Sequence, residues 1–101
     1  MAENGQEEIE PTPEWVTRND DETSVVRLKK PVTIAGIEYA EVTIREPTVA
    51  DLRTMDKIQG EMAKAAGLIA RLSGLPVPVI NKLRGADLER ISEEIEHLKN
   101  A

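Results

Sequence analysis

The stretch VVRLKKPVTIAGIEYAEVTIRE, residues 25–46, decides how this chain folds. On both sides of Ala35-Gly36, apolar side chains alternate with polar ones, which is the period of a half-buried strand. Gly36 tolerates the positive φ that a tight turn needs. The stretch therefore predicts a β-hairpin. Because an isolated hairpin is barely stable, its apolar face must pack against helices or another chain.

The pairing of the two strands requires an irregularity. A ladder that continues unbroken from the turn sets Val42 opposite the charged Lys29. A slip of one residue places Leu28 opposite Val42 and restores an apolar pair. Pro31 cannot donate a ladder hydrogen bond and suits a bulge. We therefore predict a β-bulge near residues 29–31.

The rest of the chain predicts three or four short helices. Apolar periodicity and capping residues place them at about residues 48–58, 61–73, 77–83 and 87–99. Thr48 and Asp87 are the expected N-caps of the first and last helices, while Gly74 and Gly85 end the second and third. Residues 25–101 are thus predicted to form a single small α+β domain, an N-terminal β-hairpin followed by a compact helical bundle.

The first 24 residues differ in composition from the rest. They carry eight acids and a single base, Arg18, and show no apolar period. Such a segment buries too little surface to offset its ordering entropy, so residues 1–24 are predicted to be a disordered acidic tail. Trp15 is an exception within it. It is either an anchor for a partner or a light contact with the domain's own surface.

Composition excludes several classes of function. The chain has 101 residues, no Cys and a net charge of −6 that lies in the tail, so the domain itself is near neutral. Absence of Cys excludes disulfides and thiolate chemistry, and a neutral domain does not favour a nucleic-acid partner. No apolar run approaches the roughly 20 residues that span a bilayer. A soluble protein without a membrane partner is expected.

The sequence contains no convincing catalytic or metal-binding constellation. His97 is the sole His and is expected at the surface of the last helix. Glu93, Glu94 and Glu96 are interpreted as a solvated helix face. With no second His or Cys to complete a site, we predict no enzyme activity, no metal and no cofactor.

One nucleic-acid motif has to be considered. Residues 62–83 have the order of a helix-turn-helix, with Gly74 in the turn. Asn81, Lys82 and Arg84 would then be the side chains that reach DNA. The alternative is a helical hairpin that buries its apolar faces, and the prolines at the start of the second helix favour it. A small DNA-binding regulator remains the second hypothesis.

Four short motifs resemble a known family. They are VTIREPT at 42–48, DLR at 51–53, LIARLSGLP at 68–76 and GADL at 85–88. In this order and spacing they resemble the tail assembly chaperones of Mu-like and related contractile-tailed phages and prophages, over about residues 25–99. The acidic segment 1–24 departs from that family's shorter N-termini.

The resemblance implies a binding role without a reaction. It implies a protein that binds the tape-measure protein while the tail tube assembles, in the host cytoplasm, and that is absent from the mature virion. The tail tube protein, a frameshifted longer form of the chain and a second copy of it are the further partners that the resemblance allows.

A narrow apolar stripe on the last helix supplies the candidate contacts with a helical partner. The candidates are Leu88, Ile91, Ile95 and Leu98, followed by Ile69 and Leu72 on the second helix. The alternative is that all six belong to the core, because periodicity does not say what a face meets.

The charged stretch from Arg45 to Arg53 also has two interpretations. It is either a patch that faces a partner or a local structure in which Pro47 and Thr48 start a helix. In the local interpretation, Arg53 pairs with Glu46 or Asp51.

Overall fold

Three antiparallel strands and four helices make up the part of the chain that the computed structural model describes, residues 11–100. The elements are β1 (Val16–Arg18), β2 (Thr23–Ile34), β3 (Ile37–Arg45), α1 (Val49–Met55), α2 (Glu61–Ser73), α3 (Val77–Asn81) and α4 (Gly85–Lys99). The sheet order is β1-β2-β3, and α2, α3 and α4 contact β2 and β3. The predicted α+β fold, a hairpin followed by short helices, is confirmed.

Strand β1 was not predicted. Val16 pairs with Val26 at the free edge of β2, and its side chain joins the core. The prediction of disorder is therefore wrong for Val16–Arg18, and β2 already begins before residue 25. Charge and composition did not predict the strand, because Val16 and Arg18 stabilise it through contacts with residues that are distant in sequence, the core and Glu94. Of the rest of the predicted tail, residues 1–10 lie outside the described residues.

The core is entirely aliphatic. Its centre consists of the inward side chains of β2 and β3 packed against α2, α3 and α4. The fully buried apolar members are Ile44, Ile69, Ile91, Val26, Val42 and Val79. Full burial of such a side chain contributes about 1.5–3 kcal/mol. Because aliphatic contacts have no preferred direction, other interactions must orient the helices on the sheet.

The bulge in β2 lies where the sequence predicted it. The register of β2 against β3 shifts between Arg27 and Val32, where residues 28–31 face the single residue Ala40. The shift is larger than the one-residue slip predicted. Val42 consequently pairs with Val26, and the predicted pairing with Leu28 is wrong. Leu28 nevertheless points into the core, because it lies two residues after Val26 and strand alternation places both side chains on the buried face.

Asp87 binds the backbone of this bulge. Its Oδ1 accepts a hydrogen bond from the Lys29 N–H at 2.7 Å, and its Oδ2 accepts one from the Lys30 N–H at 3.1 Å. The side chain is fully buried. The prediction of Asp87 as N-cap is wrong, since α4 begins at Gly85 and Asp87 is the third residue of the helix. Its carboxylate accepts hydrogen bonds from β2 and also lies near the positive end of the helix dipole.

The other helix boundaries agree with the sequence to within a few residues. Helix α2 has the predicted bounds and ends at Gly74, whose φ of 74° is the left-handed conformation of a helix terminus. Helices α1 and α3 are shorter than predicted, and both end before the predicted residue.

We expect Asp87→Ala to lower the free energy of unfolding by about 2–3 kcal/mol, because it leaves two partly buried N–H groups of the bulge without an acceptor. Urea unfolding followed by circular dichroism measures this loss. Glu89→Ala is the matched control, since Glu89 is exposed on the same helix, and it should change stability by less than about 0.5 kcal/mol. Equal effects of the two substitutions would contradict the role given to the bulge contact.

Candidate partner-binding site

Five of the six residues predicted to bind a partner lie in the core. Ile91, Ile95 and Leu98 on α4 are 0–6% exposed. Ile69 and Leu72 on α2 are also buried. These five side chains are not available at the surface of the domain. They belong to the core, which was the alternative interpretation of the stripe. A partner could meet them only if α2 or α4 left the sheet.

Leu88, the sixth candidate, borders a groove on the helical side of the domain. It is half-buried, partly against the core and partly in a groove of about 280 Å³ between α2, α3 and α4. The groove is lined by Met62, Ala66, Ile80, Asn81, Leu83, Gly85 and Leu88. Most of this lining is apolar.

Met62 is the exposed apolar residue of the groove. It is 68% exposed, whereas the core residues of the same helix are buried. Met62 precedes Ile69 and Leu72 by seven and ten residues, so helical periodicity places all three on one face of α2. Only the structure shows that this face is exposed in the first turn of the helix and buried further along.

Positive charge borders the groove on one side. The lining residues Asn81, Leu83 and Gly85 alternate along the chain with the exposed Lys82 and Arg84. A partner that combines an apolar stripe with flanking carboxylates would match both the lining and this border.

Thr48 is the N-cap of helix α1, as the sequence predicted, and forms a capping box with Asp51. The Thr48 side chain accepts a hydrogen bond from the Asp51 N–H at 3.2 Å, and an Asp51 carboxylate oxygen accepts one from the Thr48 N–H at 2.8 Å. Two backbone donors at the helix start are thereby satisfied.

Asp51 also holds two arginines, and neither is the predicted one. The Arg45 guanidinium donates to both of its carboxylate oxygens, at 2.6 and 3.1 Å, and Arg71 Nε donates to Oδ1. The prediction that Arg53 pairs with Asp51 or Glu46 is wrong, because Arg53 is exposed and makes neither pair among the described residues. The bonds from Arg45, then those from Thr48 and Arg71, hold the pKa of Asp51 well below its ordinary value, although burial opposes them.

The two ion pairs of Asp51 connect one residue from each of three of the four sequence motifs. Arg45 belongs to VTIREPT, Asp51 to DLR and Arg71 to LIARLSGLP, and together they join β3, α1 and α2. The local, structural interpretation of the charged stretch is therefore the one that the contacts support. Arg71 was missed because it is 20 residues from Asp51 in sequence.

Glu94 is buried, contrary to its interpretation as part of a solvated face. It is 3% exposed, and its carboxylate accepts hydrogen bonds from Ser24 Oγ at 2.6 Å and from Arg18 Nε at 2.9 Å. Burial by itself would raise the pKa of Glu94, but the bonds from Arg18 and Ser24 outweigh it and leave the pKa below its ordinary value. The spacing held a signal, because Glu94 lies three residues after Ile91 and four before Leu98 on the buried face.

The helix-turn-helix hypothesis loses its support in the structure. Helix α3 has five residues, and two of them, Val79 and Ile80, are buried in the core. About 7.5 Å of helix is too short to enter a major groove and present a row of side chains. Helices α2 and α3 therefore form the helical hairpin that was the alternative.

Residues 11–100 hold no group of three or more His, Cys, Asp or Glu side chains placed to bind a metal. No helix among them is long and apolar enough to cross a membrane.

Comparison with known families agrees with the motifs. The family model described as phage tail assembly chaperone proteins, E, or 41 or 14, matches residues 25–100. The match spans the β2–β3 hairpin and all four helices, so the chain belongs to this family of phage tail assembly chaperones. No curated protein and no solved structure matches the chain.

We expect Asp51→Asn to lower the free energy of unfolding at pH 7 by about 2–3 kcal/mol. This is less than the loss from a fully buried pair, because both arginines are 43% exposed. The folded pKa of Asp51 lies below its unfolded value, so the ion pair stabilises fully at neutral pH. That stabilisation is lost as the pH falls below about 4, through the lower folded pKa.

Urea unfolding of both proteins between pH 7 and pH 2.5 tests this prediction. The stability difference between wild type and Asp51→Asn should shrink on acidification. Asp56→Asn, an exposed residue at the other end of α1, is the control and should not change the acid dependence. A difference that stays constant down to pH 2.5 would show that the carboxylate charge of Asp51 is not responsible.

Proposed function

We propose that this phage tail assembly chaperone binds a helical segment of the tape-measure protein in the groove between α2, α3 and α4. Family membership supports the assembly role, and the tape-measure protein is the partner that the sequence resemblance implies. The single observation that carries the proposal is the apolar groove beside the exposed Met62. An amphipathic helix laid along such a groove is a common mode of recognition.

The chemistry of the lining fits a partner whose sequence varies along its length. Methionine is unbranched and polarizable, so Met62 can adapt to different apolar side chains. Ala66, one turn further along α2, is small and lets a partner helix approach closely. Leu88 supplies a fixed aliphatic wall from α4. The groove admits side chains and not a whole helix, so the partner helix would lie across its opening.

In this proposal the chain acts by covering apolar surface and not by catalysis. A tape-measure helix exposes an apolar stripe until the tail tube surrounds it, and exposed stripes of that kind promote aggregation. The chaperone would act in the host cytoplasm and leave before the virion is complete. The tail tube protein, a longer frameshifted form and a second copy are further proposed partners, with surfaces outside the groove.

We expect Met62→Glu to weaken binding to the tape-measure protein at least tenfold, because the charge would be desolvated in the groove. The two proteins are co-expressed, and co-elution and the dissociation constant of the purified complex are measured. Val49→Glu is the matched control: Val49 is 71% exposed at the start of α1, away from the groove lining, and its substitution should leave affinity unchanged.

Both variants change an exposed side chain, so both should retain the wild-type circular dichroism spectrum and urea midpoint. A wild-type chain that elutes apart from the tape-measure protein would contradict the proposed partner. Equal loss of affinity in the two variants would contradict the groove as the site.

A further inference from the structure

Residues 11–18 lie against the rest of the domain, with a turn at Glu14-Trp15 that leads into the strand β1. Residues 16–18 pair antiparallel with Ser24–Val26 at the edge of β2. The Arg27 N–H adds a hydrogen bond to the Trp15 carbonyl at 2.7 Å. The segment lies outside the region matched by the family model, which starts at residue 25. Of its partners on β2, Val25 and Val26 lie inside the matched region and Ser24 lies outside it.

A buried carboxylate lies at the centre of the contact between residues 11–18 and the rest of the domain. Glu94 is 3% exposed and meets the Arg18 guanidinium through two hydrogen bonds, Nε to Oε2 at 2.9 Å and Nη2 to Oε1 at 3.1 Å. A carboxylate this buried needs a cation or several donors. Arg18 is the only base in the acidic first 24 residues, and it is the one that reaches Glu94.

An arginine on α4 provides a second contact point. The Arg90 guanidinium carbon lies 4.2 Å from the centre of the Trp15 ring, within the range of a cation–π contact. Arg90 Nη1 also donates to the Arg27 carbonyl at 3.2 Å, which keeps the guanidinium beside β2. Of the two readings of Trp15, the contact with the domain's own surface is the one observed.

The segment is held at separate points and not along its whole length. A cavity of about 600 Å³ remains beside it, lined on one side by Pro11, Pro13 and Trp15 and on the other by α4. The chain then turns through Asn19–Glu22, where Glu22 has a φ of 67° that side chains other than glycine rarely adopt. Two separate contacts, Arg18 with Glu94 and Trp15 with Arg90, therefore hold the segment beside this open cavity.

We propose that the β2 edge beside α4 is a binding site for a peptide that adds a short strand to the sheet, and that residues 11–18 occupy it as an intramolecular ligand. The peptide pattern is an aromatic residue, a β-branched aliphatic residue and, two positions later, an arginine. These correspond to Trp15 over Arg90, Val16 in the core and Arg18 on Glu94. The site is independent of the groove proposed for the tape-measure protein, so either proposal can fail without the other.

The test converts the tethered segment into a free one. A protease recognition sequence is inserted between Asp20 and Asp21 of the full chain, which is cleaved after folding. A fluorescent synthetic peptide of residues 11–20 is then added in excess. We expect the cleaved protein to keep its circular dichroism spectrum and to exchange its own fragment for the labelled peptide, as measured by fluorescence anisotropy.

Two changes isolate the carboxylate contact. Glu94→Gln should raise the dissociation constant of the labelled peptide at least tenfold, because a bidentate, charge-assisted pair is lost. Glu89→Gln is the matched control, since Glu89 is exposed on the same helix and does not line this cavity, and it should change the dissociation constant by less than about twofold. A peptide with Arg18→Ala should bind as weakly as the wild-type peptide binds the Glu94→Gln chain, which tests the same contact without altering the protein.

Three results would overturn the proposal. Cleavage that unfolds the domain, or a fragment that never exchanges with excess peptide, would make residues 11–18 an inseparable part of the fold. A peptide with Arg18→Ala that binds as tightly as the wild-type peptide would show that the site does not select arginine.

Discussion

The structure depends on the two hydrogen bonds that Asp87 accepts from the bulge in β2. A bulge leaves backbone N–H groups without a strand partner, and buried donors need an acceptor. Asp87 supplies that acceptor from the first turn of α4, so the irregularity of the sheet and the start of the helix satisfy each other. The contact fixes where α4 crosses the sheet. That position decides which side chains of α4 lie in the core, and it places Leu88 at the groove.

Buried carboxylates perform the same task at two other places. Asp51 joins β3 to α2 through Arg45 and Arg71, and Glu94 joins α4 to the edge of the sheet. Hydrogen bonds to ionised groups are directional and strong, whereas aliphatic contacts are not directional. A core without phenylalanine thus obtains its stability from aliphatic burial and its unique geometry from three carboxylates.

Helix α4 serves two different surfaces. Leu88 borders the apolar groove, and His97 lines the cavity beside the N-terminal segment. They are nine positions apart, which corresponds to about two and a half turns, so the two side chains lie on opposite sides of the helix. A helix in the groove and a peptide on the β2 edge would therefore not compete for space. The face of α4 between these surfaces is the one buried on the sheet.

The sequence alone determined the hairpin, the position of its bulge, the bounds of α2, Thr48 as an N-cap and the family. These features depend on neighbours within a few residues, or on motifs whose order along the chain can be read directly. Tertiary structure decided that β1 forms, that Glu94 is buried and that five of the candidate binding residues are core. Periodicity shows that a helix has an apolar face, but only packing shows what that face meets. A pair such as Arg71 and Asp51 forms only when two helices are brought together.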